Sequence, residues 1–396
     1  MPRLRPSWQP GFLVPVLLAA MLITDVALRL ALQTARISYR VWEGTRRFGA
    51  EAPFYPNVRY DRPRVYGNLA ATGNLREFRQ YHRVVFTSDS LGYHNPPDLA
   101  ARGGVASLLF GRSFSAGTEV NDNETLSAHL TRLSGRPVYN AAPGNPVPAH
   151  VAELAGRLGM DGGVVILEHL ESTDAPPIES VRARPVSAQC RRLLGPWSTP
   201  SACAAFAERA RRLRVSPLAV FATRGYRRLQ DDRWLPNAAA SLVVRERLAN
   251  GREMLFWPGA ERLPPAERRS NAAVVRHATW LAARLALQRR DLLVVLVPEK
   301  YTVYGPLLER EGARRAAEET AASLDRLEQQ LRERRIPVVN ATGPLRAAAR
   351  TSLAHDTYVY WLDDTHWNAA GVRVTAEAVA PELDRLWARQ RRLPPR

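Results

Sequence analysis

Apolar positions fall into one long run and a series of short ones. The long run spans 11–24 and is broken only by Pro15, with Arg3 and Arg5 ahead of it. A helix continued to Leu32 would be about 33 Å long at 1.5 Å per residue, enough to cross a bilayer core. Asp25 and Arg29 interrupt the run at i,i+4 spacing, which lets them pair on one face near the membrane boundary. No convincing small-x-small cleavage site follows, so the run reads as an uncleaved anchor and not as a secretory signal. Arg36, Arg40, Arg46 and Arg47 outnumber the cations before the span. A literal positive-inside count would keep the main domain in the cytoplasm, but long domains translocate largely regardless of charge.

The short runs are strand-sized and recur with helical segments between them. Residues 50–95 are rich in Tyr, Phe, Val, Asn, Pro and Gly and read as strands and turns. A buried strand at 105–110 is followed by a helix at 123–134, a short strand at 138–140 and a loop at 141–145. A helix at 149–158 then leads to a second buried strand at 163–167. This alternation predicts a parallel sheet with helices on both faces. Residues 175–265 lose the rhythm: they hold many Arg, Pro and Trp residues and no long apolar run. The pattern resumes with a helix at 270–289, a strand at 292–297, a long helix at 306–335 and a strand at 336–339. Helices at 342–350 and 371–389 complete it. The expected organisation is an anchor at 1–35, a β-rich lead-in at 36–98 and a first α/β part at 99–174. An insertion or cap at 175–265 and a second α/β part at 266–396 follow.

Charge changes this picture less than its size suggests. The formal net charge is +18, yet Lys300 is the sole lysine and the arginines are spread along the chain. No helix-turn-helix, zinc-finger or RNP-type motif accompanies them, which argues against a nucleic-acid partner. An acidic polysaccharide or an anionic membrane face suits the charge better. A lone lysine in such a chain either marks a position where a guanidinium will not serve or is there by chance. Cys190 and Cys203 have no metal-ligand spacing. They are either two thiols or, in an oxidising compartment, a loop closure contributing roughly 3 kcal/mol.

Candidate chemistry lies where strands end. Ser113, Asn140, Glu168 and Lys300 each directly follow a predicted strand, so a parallel sheet would gather them at its carboxyl edge, where α/β folds place their sites. His366 precedes the last helix, in Asp363-Asp364-Thr365-His366-Trp367-Asn368, and could fold over that edge. A serine hydroxyl becomes a strong nucleophile when a histidine takes its proton and a carboxylate orients that histidine. Each residue also has an ordinary reading: Ser113 as a helix cap, Asn140 as a turn former, His366 as a loop histidine.

Gly111-Arg-Ser-Phe-Ser-Ala-Gly117 resembles the first block of SGNH (GDSL-type) hydrolases. The loop 138–145 resembles the second block, and Asp364-Thr-His-Trp-Asn368 the last. Val164-Val-Ile-Leu-Glu168, Pro298-Glu-Lys-Tyr-Thr-Val-Tyr304 and Ser90-Leu-Gly-Tyr-His-Asn95 resemble the SGNH-like domains of alginate-type polysaccharide O-acetyltransferases. The resemblance covers about 85–170 and 290–390. It implies a flavodoxin-like three-layer α/β fold behind the N-terminal transmembrane helix, and no cofactor or metal. Ser113 is then the nucleophile and His366 the general base. An acid three residues before the histidine, as in most SGNH enzymes, is Asp363; the acetyltransferase-like spacing of two selects Asp364, which the Asp-Thr-His-Trp wording favours. Oxyanion and substrate contacts fall to Arg112, Asn140, Ala142, Lys300, Tyr304 and Trp367. Arg112 and Ala142 depart from the family's usual Asp and Gly, and Glu168 and Glu171 stand where the third-block asparagine is usual. The implied protein transfers or removes acetyl groups on a polysaccharide or other acylated carbohydrate. It would sit in the inner membrane as a single-pass protein with its main domain in the periplasm. The alternative class is an inactive scaffold that binds polymer or a membrane acyltransferase. A metal-dependent hydrolase using Asp363, Asp364 and His366 is the remote third.

Overall fold

The computed structural model describes residues 10–31, 53–173, 216–232, 234–258 and 271–392. Its strands are β1 (Arg59–Val65), β2 (His82–Thr87), β3 (Ser107–Phe110), β4 (Val138–Asn140), β5 (Gly163–Leu170), β6 (Val244–Arg247), β7 (Glu253–Phe256), β8 (Arg290–Val297) and β9 (Val338–Asn340). β3, β4, β5, β8 and β9 form one sheet in the order β4-β3-β5-β8-β9, with every pairing parallel. Taken in chain order these strands run 2-1-3-4-5, the flavodoxin-like doubly wound order, and the winding order reverses between β3 and β5.

Alternate side chains of the central strands enter two separate cores, which is why these strands read as continuous apolar runs. On one face Val164, Ile166, Leu293, Val295 and Val297 pack with residues of the helices Leu126–Ser134 and Ala369–Arg391. On the other, Val165, Leu292, Val294 and Leu296 pack with the helices Pro148–Arg157, Asn271–Ala286 and Glu311–Glu333. The α/β expectation is therefore met, with three layers.

Three elements depart from the sequence reading. The helix expected at 306–335 starts later. Lys300–Tyr304 forms its own short helix, Gly305–Leu307 a 3-10 turn, and the long helix runs Glu311–Glu333. Pro306 suits a first-turn position better than a helix interior. Residues 217–231, inside the expected cap, form the helix Pro217–Asp231, and an antiparallel hairpin follows, β6 paired with β7. Arg245 and Arg247 alternate with half-buried positions in β6, so no apolar run betrays it. Cys190 and Cys203, with 174–215, lie outside the described residues.

The N-terminal apolar run is helical over Pro10–Ala31, with Leu17, Leu18, Leu22 and Ile23 exposed. Among the described residues no helix is long and apolar enough to cross a membrane. The Asp25 carboxylate accepts hydrogen bonds from Ser216 Oγ (2.5 Å) and the Leu218 amide (3.2 Å), so it helps cap the helix Pro217–Asp231.

Candidate active site

The chain turns sharply after β3, and Ser113 opens the four-residue helix Ser113–Ala116 with its side chain exposed. Phe114 beside it is buried, and Trp367 Nε1 donates to the Phe114 carbonyl at 3.2 Å. The turn is held from below by Glu168, near the end of β5. One Glu168 oxygen accepts from the amides of Arg112 (2.9 Å) and Ser115 (3.0 Å). A Cβ on Gly111 would lie 2.4 Å from that oxygen, so only glycine lets the carboxyl approach. Burial raises the Glu168 carboxyl above the usual carboxylate range, although these hydrogen bonds oppose the shift.

His366 reaches Ser113 from the other side of the cleft. Its Nε2 lies 2.7 Å from Ser113 Oγ, and its Nδ1 lies 2.6 Å from an Asp364 oxygen that also accepts the His366 amide at 2.9 Å. Asp364 is 1% exposed. Burial opposes charge on both partners, but their mutual attraction outweighs it: His366 is held above its usual value and Asp364 below. This is the geometry of a serine, a base and an acid that orients the base.

Asp363 faces elsewhere. One of its carboxylate oxygens accepts from the amides of Gly67 (2.8 Å) and Gln80 (2.9 Å), and its carbonyl accepts from Leu69 and Ala70. Burial raises it to about 6. Among the described residues the imidazole has Asp364, not Asp363, as its carboxylate partner.

The loop bearing these acids is fastened to residues that gave no sequence signal. Asn68 donates its amide to Asp364 (2.5 Å) and its side chain to Thr365 (2.7 Å). Gln80 accepts the Leu362 amide at 2.7 Å. A Cβ on Gly67 would lie 2.1 Å from the Asp363 carbonyl oxygen. The lead-in also braces the serine side. His94 Nδ1 lies 2.8 Å from the Ala116 carbonyl, and Asn95 exchanges two hydrogen bonds with the Asn140 backbone.

Several expected contact residues serve the frame and not the cleft. Asn140 is fully buried: its side chain donates to the Ser115 carbonyl (2.8 Å) and accepts the Ala142 amide (3.0 Å). Ala142 is buried in a small cluster with Phe54, Tyr60 and Phe86. The Tyr304 hydroxyl, also buried, accepts the Val359 amide at 2.9 Å. Trp367 lies behind the serine turn, edge-on to Phe114. Arg112 is exposed beside Ser113. Lys300 borders the cleft, but its ammonium is buried in hydrogen bonds to backbone carbonyls.

The cleft itself has a volume of about 430 Å³. Ser113 and His366 lie in it with Leu69, Phe114 and Leu170, and the β7 end supplies Phe256, Trp257 and Pro258. Trp257 is exposed at 42%. Glu119, Asp364 and His366 bring potential metal-ligand atoms within 4.8 Å of one another. Both imidazole nitrogens are already engaged, Nδ1 by Asp364 and Nε2 by Ser113, so a metal here would displace the serine contact or the acid contact.

Residues 248–394 match the family model described as ALGX, the SGNH hydrolase-like domain of acetyltransferase AlgX. The matched stretch includes β7, Lys300, Asp364 and His366 but not Ser113. No curated protein matches the chain. The solved structures that are similar include two from Streptomyces. Phospholipase A1 from Streptomyces albidoflavus NA297 is 13% identical, covering 72% of this chain and 100% of that one with a TM-score of 0.33. The extracellular lipase from Streptomyces rimosus is 10% identical, covering 71% and 99% with a TM-score of 0.33. The resemblance of the chain to SGNH hydrolases is thus supported most directly over 248–394, where it is to the AlgX acetyltransferase kind.

Proposed function

We propose that this protein moves acyl groups, most naturally acetyl, to or from the hydroxyls of a cell-envelope or exported polysaccharide, using Ser113, His366 and Asp364. The observation that carries the reading is the unbroken relay from Asp364 through His366 to Ser113, at 2.6 and 2.7 Å. His366 takes the Ser113 proton as Oγ attacks the ester carbonyl. It then returns that proton to the departing alkoxide, leaving an acyl group on Ser113. The incoming hydroxyl of a sugar or of water gives its proton to His366 as it attacks, and Ser113 recovers the proton when the acyl group departs. The Ser113 amide, at the first position of its helix where no intrahelical acceptor exists, suits an oxyanion, a contribution typically of about 2.7–4 kcal/mol per donor.

The aromatic and apolar wall formed by Leu69, Phe114, Phe256 and Trp257 suits a sugar ring above the acyl group. The exposed apolar residues Leu17, Leu18, Leu22 and Ile23 suit association with a membrane surface, although no described helix is long and apolar enough to cross a bilayer, and we place the α/β domain on the periplasmic side of an inner membrane. The direct test is turnover of p-nitrophenyl acetate and of acetylated polymer by wild type and Ser113→Ala. Loss of both in the variant supports the reading. Equal turnover by the two proteins would remove it.

A further inference from the structure

The lone lysine of an arginine-rich chain ends inside the protein, 3% exposed, with every donor engaged. Lys300 Nζ donates to the carbonyls of Leu255 (2.8 Å), Leu362 (3.0 Å) and Asp364 (2.9 Å). The Phe256 ring centroid lies 5.2 Å away. These acceptors belong to two segments with different tasks. Leu255 is in β7, just before the Phe256-Trp257-Pro258 wall of the cleft; Leu362 and Asp364 flank Asp363 in the loop that carries the candidate acid. An ammonium directs three hydrogens from one point, whereas a guanidinium spreads five in a plane. The site therefore explains why arginine did not replace lysine here.

We propose that Lys300 is a positioning residue that locks the Asp364 loop to the β7 wall of the cleft, and that it does so only as the ammonium. The proposal rests on the Ser113–His366–Asp364 reading. With one proton removed, two hydrogens face three carbonyls and a nitrogen lone pair turns toward an oxygen, so the clamp opens. Burial lowers Lys300 to about 7, while Asp363 and Asp364 pull it upward. The groups around it are Asp363, Asp364 and His366 on the loop, Phe256 on the hairpin and Glu299 next to it in sequence. The acid–base pair is then correctly set only below the Lys300 titration, which adds an alkaline limb to turnover.

Because the chain has a single lysine, selective ¹³Cε-lysine labelling of the full-length protein gives one side-chain signal to follow with pH. The His366 ring signal, assigned by its loss in His366→Asn, is followed in the same samples, with p-nitrophenyl acetate turnover corrected for Ser113→Ala. We expect the Lys300 titration, a second displacement of the His366 ring signal distinct from the imidazole's own titration, and the alkaline fall in kcat to share one midpoint, with KM changing less than about threefold. Lys300→Met should lower kcat about 30-fold and remove the limb, and Lys300→Arg should not restore it. A Lys300 titration that brings no displacement of the His366 signal beyond the imidazole's own titration overturns the proposal. So does full activity in Lys300→Arg. The two NMR signals in wild type decide the matter even if Lys300→Met fails to fold. They also decide it if no Ser113-dependent turnover is found, which would sink the functional reading separately.

Discussion

The loop 361–368 and the turn 111–117 meet across 2.7 Å, yet they are held in place by opposite means. The acid–base loop is anchored from outside itself: by Gly67, Asn68 and Gln80 of the lead-in and by Lys300 after β8. The serine turn draws its support from closer to the sheet, through Glu168 of β5, with His94 bracing the end of its helix. The first arrangement fixes direction, since an imidazole must point at a hydroxyl; the second fixes backbone, since a helix start must present its amides. Orientation is the more fragile property, because a misplacement of about 1 Å can cost about 100-fold in rate. Damage to the loop's anchors should therefore fall on turnover, and damage to the turn's support should fall mainly on stability.

The largest effect expected is that of Asp364→Asn, a fall in kcat of about 10³–10⁴-fold, measured on p-nitrophenyl acetate. Its pH profile should shift as well. Asp364 holds His366 above its usual value, so wild-type turnover rises with pH through that raised value as the imidazole becomes neutral; the variant should rise at lower pH. The same pair sets a stability window. Asp364, lowered in the fold, contributes above the ordinary aspartate value and loses that contribution as pH falls through its folded value. His366, raised in the fold, contributes below its ordinary value and loses that contribution as pH rises through its folded value.

Next comes Gly67→Ala, which tests whether the lead-in truly sets the loop. The added Cβ meets the Asp363 carbonyl and displaces it, and kcat should fall about 100-fold with far-UV circular dichroism unchanged. On the serine side, Glu168→Ala strands two amides and should lower unfolding free energy by about 2 kcal/mol in denaturant titrations. Glu168→Gln keeps an acceptor oxygen and should stay within about 1 kcal/mol of wild type. The smallest change belongs to Asp363→Asn. An acceptor for Gly67 and Gln80 remains and no contact to His366 is lost, so kcat should fall less than about 10-fold. Equal losses in Asp363→Asn and Asp364→Asn would erase the distinction between the two acids.

Much of the frame was readable because a doubly wound sheet buries both faces of its strands. Val164–Leu167 and Leu292–Val297 could hardly be anything else, and the carboxyl-edge rule then brought Ser113, Glu168 and Lys300 to one side. The hairpin β6–β7 was hidden because charged and half-buried residues alternate in β6 and the apolar run Met254–Phe256 of β7 is only three residues long. The lead-in's role was hidden for a different reason. Gly67, Asn68 and Gln80 act as much through backbone amides, which every residue has, as through side chains, and only the geometry shows which ones matter. Asn140 and Ala142 illustrate the converse. Their place after a strand was legible, but whether a side chain turns to the cleft or into the frame depends on neighbours such as Asn95 and Ser115 that lie far away in sequence.

The most direct measurement of the central claim is covalent labelling by a fluorophosphonate probe, followed by peptide mass spectrometry. Wild type should carry one adduct, on Ser113, and His366→Ala should label that residue more slowly by about 10³-fold. Labelling of Ser113 at the wild-type rate in His366→Ala, or of another serine in its place, would contradict the account.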